Sequence, residues 1–204
     1  MYARGLITPE KLKEDIHKGT TLINQMSSTI DDFRDFFKPN KTKLPFDIKK
    51  AIERTSSLIN ASLYNKNIHL ELNIQDNINI NGYENEFSQV ILNIINNAQD
   101  VLIQRNVEDG KIEIYTQSKK NILYIYIEDN AGGIPQDQIQ RIFEPYFTTK
   151  EEGKGTGIGL YMSKMIIEEN MKGQLSVING DKGAVFSIAI EIENLESKNY
   201  KRET

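Results

Sequence analysis

The chain has 204 residues, a formal net charge of -4, no cysteine, and two histidines, His17 and His69. This composition excludes disulfides, cysteine-ligated metal and a histidine-rich metal centre, and the absence of a basic field argues against a nucleic-acid partner. No apolar run approaches the roughly 20 residues of a membrane span, and the N-terminus lacks the apolar core of a signal peptide. The expectation is a soluble, cytoplasmic piece with no membrane segment of its own, which leaves room for a membrane-anchored sensor upstream.

Thr8-Pro9-Glu10 is a helix-start signal: a capping hydroxyl, proline in the first turn, then an acid. Leu12, Ile16, Gly19, Ile23, Met26, Ile30, Phe33 and Phe37 then alternate at steps of four and three. This is a heptad seam, so the spacing predicts a long helix over residues 10–37 that needs a partner helix, from other sequence or from a second copy in a homodimer. Lys38-Pro39-Asn40 ends it, and Thr42 to Pro45 reads as a linker. Asp47 to Asn65 reads as a second helix, and Ile68 to Ile74 as a half-buried strand. Ile78 to Asn81 reads as a short edge strand. Glu84 to Arg105 is predicted as a third helix with a wide apolar face of Phe87, Val90, Ile91, Ile94, Ile95, Ala98 and Leu102. Two strands follow, Lys111 to Gln117 and Ile122 to Glu128, joined by a tight turn. Ile134-Pro135 opens a short helical segment to about Phe143, and Glu144 to Thr156 reads as a mobile loop. A glycine-dense turn starts a helix over Tyr161 to Asn170. Gln174 to Asn179 and Ala184 to Ile192 form a closing hairpin, and the tail from Asn194 is polar. Helices and strands mix without regular βαβ alternation. The predicted class is therefore α+β, a two-layer sandwich with a mostly antiparallel mixed sheet and helices on one face.

Chemistry concentrates in four places. Asn93 and Asn97 stand four apart on one face of the third helix, amid Val90, Ile94 and Ala98. Amides on an apolar face need something to satisfy them: packing against a neighbouring loop, or an amide oxygen aimed at a hard cation that bridges phosphates. Asp129 ends an apolar strand and precedes Gly132-Gly133-Ile134. A carboxylate there can accept the exocyclic amine of adenine, and two glycines let the next backbone pass close under a ring; the alternative is a plain turn. Lys150 follows Thr148-Thr149 on a loop, as a cation for a phosphate or as a solvated surface lysine. Gly153 to Leu160, GKGTGIGL, holds four glycines and opens a helix, where unpaired N–H groups favour an anion. It is not a P-loop, because no Lys-Ser or Lys-Thr follows the last glycine.

In this order, the pieces resemble the ATP-binding domain of bacterial sensor histidine kinases, of the gyrase, Hsp90, histidine kinase and MutL superfamily. QVILNIINNAQD, Gln89 to Asp100, is similar to the N box. DNAGGI is similar to the first glycine box, RIFEPYFTTK to the F box, GKGTGIGL to the second glycine box, and GDKGAVFSI to the closing hairpin. Met26 to Pro39 resembles the end of the second helix of the family's dimerisation and phosphotransfer hairpin. The resemblance implies residues 1–43 as a partial dimerisation helix with linker, 44–193 as the ATP-binding catalytic domain, and 194–204 as a tail. It implies ATP and Mg2+, with Asn97 holding the metal, Asp129 taking the adenine amine, and Gly133 and Ile134 lying at the base. Gly155, Thr156, Gly157, Ile158, Gly159 and Leu160 would meet phosphate at the lid and helix start, Lys150 would pair with the terminal phosphate, and Thr148 and Asp100 would line the nucleotide. Asn93 stands where related ATPases place a water-activating glutamate, and asparagine is no base, which points to transfer onto a protein histidine rather than hydrolysis. Three departures are Ala131 for the first glycine of the DxGxG pattern, Asp100 where a lysine is common, and Thr148 where an arginine is frequent. No acceptor box follows either histidine: His17 precedes Lys-Gly-Thr and reads as a surface or seam residue, and His69 as a packing or cross-strand residue. The expected partners are an acceptor-histidine helix missing from this chain and a response regulator. The rival expectations are a superfamily ATPase, a non-catalytic nucleotide-sensing module, and a serine kinase acting on a regulatory protein.

Overall fold

The computed structural model describes residues 42–150 and 155–192, together with residues 11–13, 15, 16, 19, 20 and 23, which are helical. Most of the heptad seam over 10–37, His17, Gly153, Lys154 and the tail from Asn194 lie outside the described residues. The chain divides into two units, residues 1–39 with 148–156, and residues 40–147 with 157–204.

In the larger unit, β1 (Leu44–Asp47) runs into α1 (Ile48–Tyr64), β2 (Ile68–Asn73) and β3 (Asn79–Gly82). Next come α2 (Glu84–Gln104), β4 (Gly110–Lys119) and β5 (Ile122–Asp129). Then follow α3 (Gly159–Met165), continued as one π-helical turn over Ile166–Asn170, β6 (Gln174–Asn179) and β7 (Ala184–Glu191). Asp47 caps α1 by accepting from the Lys50 amide at 3.0 Å, a contact worth about 1 kcal/mol. The helix ends at Asn65, and two residues on Asn67 turns the chain with a positive φ of 55°, a conformation Asn tolerates better than most residues.

The main sheet has the order β2-β4-β5-β7-β6, parallel between β2 and β4 and antiparallel elsewhere. Its strands alternate. Ile112, Ile114, Leu123, Ile125, Ile127, Ile188 and Ile190 are buried on the helix face. Tyr115, Tyr124 and Tyr126 are half-buried on the other, with Tyr115 stacked on Tyr126 at 4.9 Å between ring centres. Across from the sheet, α2 buries Phe87, Val90, Ile91, Ile94, Ile95, Ala98 and Leu102, the apolar face read from its 3.6-residue period. Each fully buried Ile or Phe contributes about 1.5–3 kcal/mol from water exclusion, so α2 is the spine on which the site is mounted.

Two expectations need correction. The linker ends in strand β1, whose Phe46 pairs with Ile80 of β3 and packs on Phe87 at 5.6 Å between ring centres. Pro45 lowers strand propensity but is tolerated on this two-stranded edge. Residues 136–143, read as helical, are consecutive turns: the Ile139 amide reaches Pro135 O at 3.2 Å and Ile142 reaches Gln138 O at 3.0 Å, without a continuous helix. His69, read as a packing or cross-strand residue, is the latter: it is exposed on β2, opposite Lys111 of β4.

Candidate functional site

Asp129 is the last residue of β5. Alternation with Leu123, Ile125 and Ile127 turns it to the helix face, where it is 8% exposed. A carboxylate on a core face is costly unless hydrogen-bonded. Here Oδ1 accepts from the amides of Ala131 at 2.8 Å and Ala184 at 3.3 Å. No hydrogen bond to Oδ2 is made among the described residues, so one oxygen is anchored by backbone and the other is not. Burial pushes this carboxyl above the ordinary aspartate value; the Ala131 and Ala184 amides and the charge of Arg105 act in the opposite direction. Gly183, in the β6–β7 turn, is pressed so closely on Asp129 that a Cβ there would collide with both its backbone oxygen and Oδ1.

The turn after Asp129 is tied at Asn130, Ala131, Gly132 and Ile134. Asn130 Oδ1 accepts from the Lys111 amide at 2.7 Å, and its Nδ2 donates to Asp109 O at 2.8 Å. Arg105, at the end of α2, donates to the carbonyl of Ala131. The Gly132 amide donates to Lys182 O at 2.8 Å. Ile134 is gripped by Asn179, whose Oδ1 accepts its amide and whose Nδ2 donates to its carbonyl, each at 2.8 Å. The left-handed positions are Gly132, with φ 87°, and Gly133, with φ 80°, while Ala131 has a negative φ. The departure at Ala131 therefore carries no backbone strain, because the glycines stand where the turn requires them.

The second cluster joins α2 to α3. Asn93 is half-buried, and its Nδ2 donates to Ser163 Oγ at 2.9 Å. Ser163 Oγ in turn donates to Gly159 O at 3.0 Å. A Cβ on Gly159 would lie 2.5 Å from Asn93 Oδ1, so glycine is what lets the α3 start touch the amide. Gly157, with φ 66°, packs on the backbone of Tyr146 and Phe147, and its carbonyl accepts from the Tyr146 amide at 2.9 Å. Asn97 and Asp100 follow Asn93 along α2, and both are half-buried. Ile158 and Leu160 flank Gly159, also half-buried. Helix α2 packs on both α3 and β5, so the two clusters share one support.

In the other unit, Thr148, Lys150 and Gly155 form a local group. Thr148 Oγ1 accepts from the Lys150 amide at 3.2 Å, and a Cβ on Gly155 would lie 2.6 Å from that hydroxyl and 3.0 Å from Lys150 Cδ. Thr156 is exposed.

Among the described residues, no group of three or more His, Asp or Glu side chains is placed to hold a metal ion. A hard cation that arrives with phosphates keeps most of its ligands as water and phosphate oxygens and needs no such group; a single amide oxygen, the type that half-buried Asn97 carries, is a donor suited to it. Among the described residues, no helix is long and apolar enough to cross a membrane.

Sequence reasoning passed over Arg105, Asn130, Ser163, Asn179 and Gly183. Asn179 was legible only as a strand end and Gly183 only as a turn residue, since their targets lie 45 and 54 positions earlier.

An α+β sandwich with a buried acid beside a double-glycine turn, and a glycine-dense helix start against an asparagine, is a nucleotide-binding ATPase architecture. Residues 82–194, more than half of the chain, match the family described as histidine kinase-, DNA gyrase B-, and HSP90-like ATPase, and the chain belongs to that family. It is 34% identical over 156 residues to the two-component sensor PprA of Pseudomonas aeruginosa, covering 73% of this chain and 16% of that protein. The catalytic domain of histidine kinase ThkA superposes with a TM-score of 0.66 at 25% identity, covering 74% of this chain and 97% of that one. ThkA in complex with the response regulator protein TrrA aligns with a TM-score of 0.72 at 23% identity, over 92% of this chain and 53% of that one. The chain thus carries the ATP-binding catalytic domain of two-component sensor kinases, and it spans about a sixth of the length of its curated relative PprA.

Proposed function

We propose that this domain binds ATP with Mg2+ and presents the γ-phosphate to a histidine on a helix outside this chain, within a protein-histidine kinase that passes the phosphoryl group to a response regulator. The observation that carries this reading is Asp129: a buried carboxylate with Oδ1 held by two backbone amides and Oδ2 left to accept the adenine amine. Gly133 and Ile134 would lie against the base. Asn97 would offer its amide oxygen to the metal on the phosphates. Gly155, Thr156, Gly157, Ile158, Gly159 and Leu160 would line the phosphates, with Thr148 and Asp100 at the edge of the nucleotide and Lys150 meeting the terminal phosphate. The metal supplies charge neutralisation when bound; the protein's share is to hold the phosphates in line with the acceptor.

Asn93 supports transfer over hydrolysis. It carries no carboxylate to deprotonate water, and its amide is committed to Ser163. The acceptor is proposed to come from elsewhere because neither histidine has an acceptor box and His69 stands on the exposed side of β2. A homodimer through residues 10–37 would bring that helix to the domain, and a cytoplasmic location would give access to the regulator.

A fluorescent adenine nucleotide titrated with and without Mg2+ tests the reading. Wild type binds and the metal tightens binding; Asn97→Ala keeps base recognition and loses about tenfold of the metal-dependent part. The isolated chain takes up no stable phosphate, and an added acceptor hairpin becomes phosphorylated. An acceptor that stays unphosphorylated with ATP bound would instead favour a nucleotide-sensing module.

A further inference from the structure

Asn179 ends β6, opposite Ala184 of β7, and is exposed. Its carboxamide reaches across to the turn after Asp129 and pairs with both backbone groups of one residue, accepting from the Ile134 amide and donating to the Ile134 carbonyl, each at 2.8 Å. An amide has one acceptor end and one donor end, so this pairing admits one flip state and one placement of Ile134. The residue before it is shaped by the same group: Gly133 has φ 80°, and a Cβ there would lie 2.6 Å from Asn179 Oδ1. The backbone of Gly133 therefore comes close against the carboxamide, with no room for a side chain between them. The turn's other ties, Arg105 to Ala131 and Gly132 to Lys182, fall on its first half. Asn179 fixes the half that carries Gly133 and Ile134.

We propose that Asn179 is a positioning residue for nucleotide selection: it holds Gly133 and Ile134 in the base-receiving shape before the nucleotide arrives, and so sets both affinity and the preference for adenine. This rests on the reading that Asp129 and Gly133 receive the base. The physical ground is preorganisation. A turn that must be ordered on binding weakens affinity, and a turn free to shift no longer holds a purine in one register against Asp129.

The test is the dissociation constants of ATP and GTP for wild type, Asn179→Ala and Asn179→Asp, with melting temperature recorded for each. Asn179→Ala should weaken ATP binding about fivefold and narrow the ATP-to-GTP ratio, because the loss falls on the adenine complex. Asn179→Asp keeps the acceptor for the Ile134 amide and loses the donor to its carbonyl, so it should fall between the two. Unchanged affinity and ratio would overturn the proposal, as would an equal loss for both nucleotides, the mark of a merely structural role. Should Asn179→Ala not fold, Asn179→Asp is read in its place. Hydrogen exchange of the Ile134 amide in nucleotide-free wild type gives an independent reading: protection supports the clamp, and exchange at the rate of an open loop overturns it. Wild type that fails to bind ATP sinks the reading of the site itself, whereas binding by wild type and Asn179→Ala alike sinks this inference alone.

Discussion

The turn from Asp129 to Ile134 and the turn from Gly157 into α3 both depend on glycines, but different forces hold them. The first is knitted by hydrogen bonds from Arg105, Asn130, Lys182 and Asn179, drawn from α2, the turn itself and the β6–β7 hairpin. The second also has hydrogen bonds, from Tyr146 to the Gly157 carbonyl and from Ser163 to the Gly159 carbonyl, but its glycines are fixed by close approach: Gly157 against the backbone of Tyr146 and Phe147, and Gly159 against the Asn93 amide. A hydrogen-bonded turn tolerates a side chain wherever φ is negative, as Ala131 shows. A turn held by contact tolerates none where the facing group is backbone. One turn can thus be rigid through polar ties while another is shaped by what glycine leaves out.

The largest break in this comparison is Gly157→Ala. The new Cβ would meet the Tyr146 backbone, which cannot rotate away, at a φ of 66°. The left-handed strain alone costs about 1–2 kcal/mol, and the collision adds to it. The expected outcome is a clear drop in melting temperature with loss of ATP binding. Gly159→Ala meets the far end of a side chain and should cost less.

Asp129→Asn comes next. It keeps an acceptor near the two amides and removes the charge, so the fold should persist. Adenine affinity should fall by about 2 kcal/mol, roughly 30-fold, measured by titration of ATP. A loss equally large for a nucleotide lacking the exocyclic amine would contradict the assigned role.

A smaller effect is on pH. Burial raises the Asp129 pKa in the folded state. The folded protein therefore binds this proton more tightly than the unfolded chain. The group's contribution to stability is fully present below the unfolded pKa and is lost as pH rises through the raised folded value. ATP affinity moves the other way, falling as pH drops through that folded value, because the protonated acid no longer offers two acceptor oxygens. Both trends should flatten in Asp129→Asn, followed by melting curves and titrations across the acid range.

The smallest effect sharpens the contrast. Ala131→Gly restores the family's glycine at a position with no positive φ. It should cost a few tenths to about 1 kcal/mol through the flexibility of the unfolded chain, with ATP affinity unchanged.

Local information sufficed for much of this protein. Apolar spacing placed α1 and α2 within a residue of their ends, and β4 and β5 were legible as two strands joined by a tight turn. Motif order was enough to single out Asp129, Asn93 and the glycine-dense turn, since each is a short pattern whose chemistry is carried by adjacent residues. What period and motif missed depends on partners far along the chain. Strand β1 exists because β3 pairs with it, and residues 136–143 stop at turns although their composition allows a helix. Asn93 meets Ser163 70 positions away, Asp129 is backed by Gly183, and Asn179 grips Ile134 45 positions earlier. A sequence names the groups able to hydrogen-bond or make room. Which of them meet is decided when the sheet and α2 close on a shared core, because the distances that govern both effects are set by packing and not by spacing along the chain.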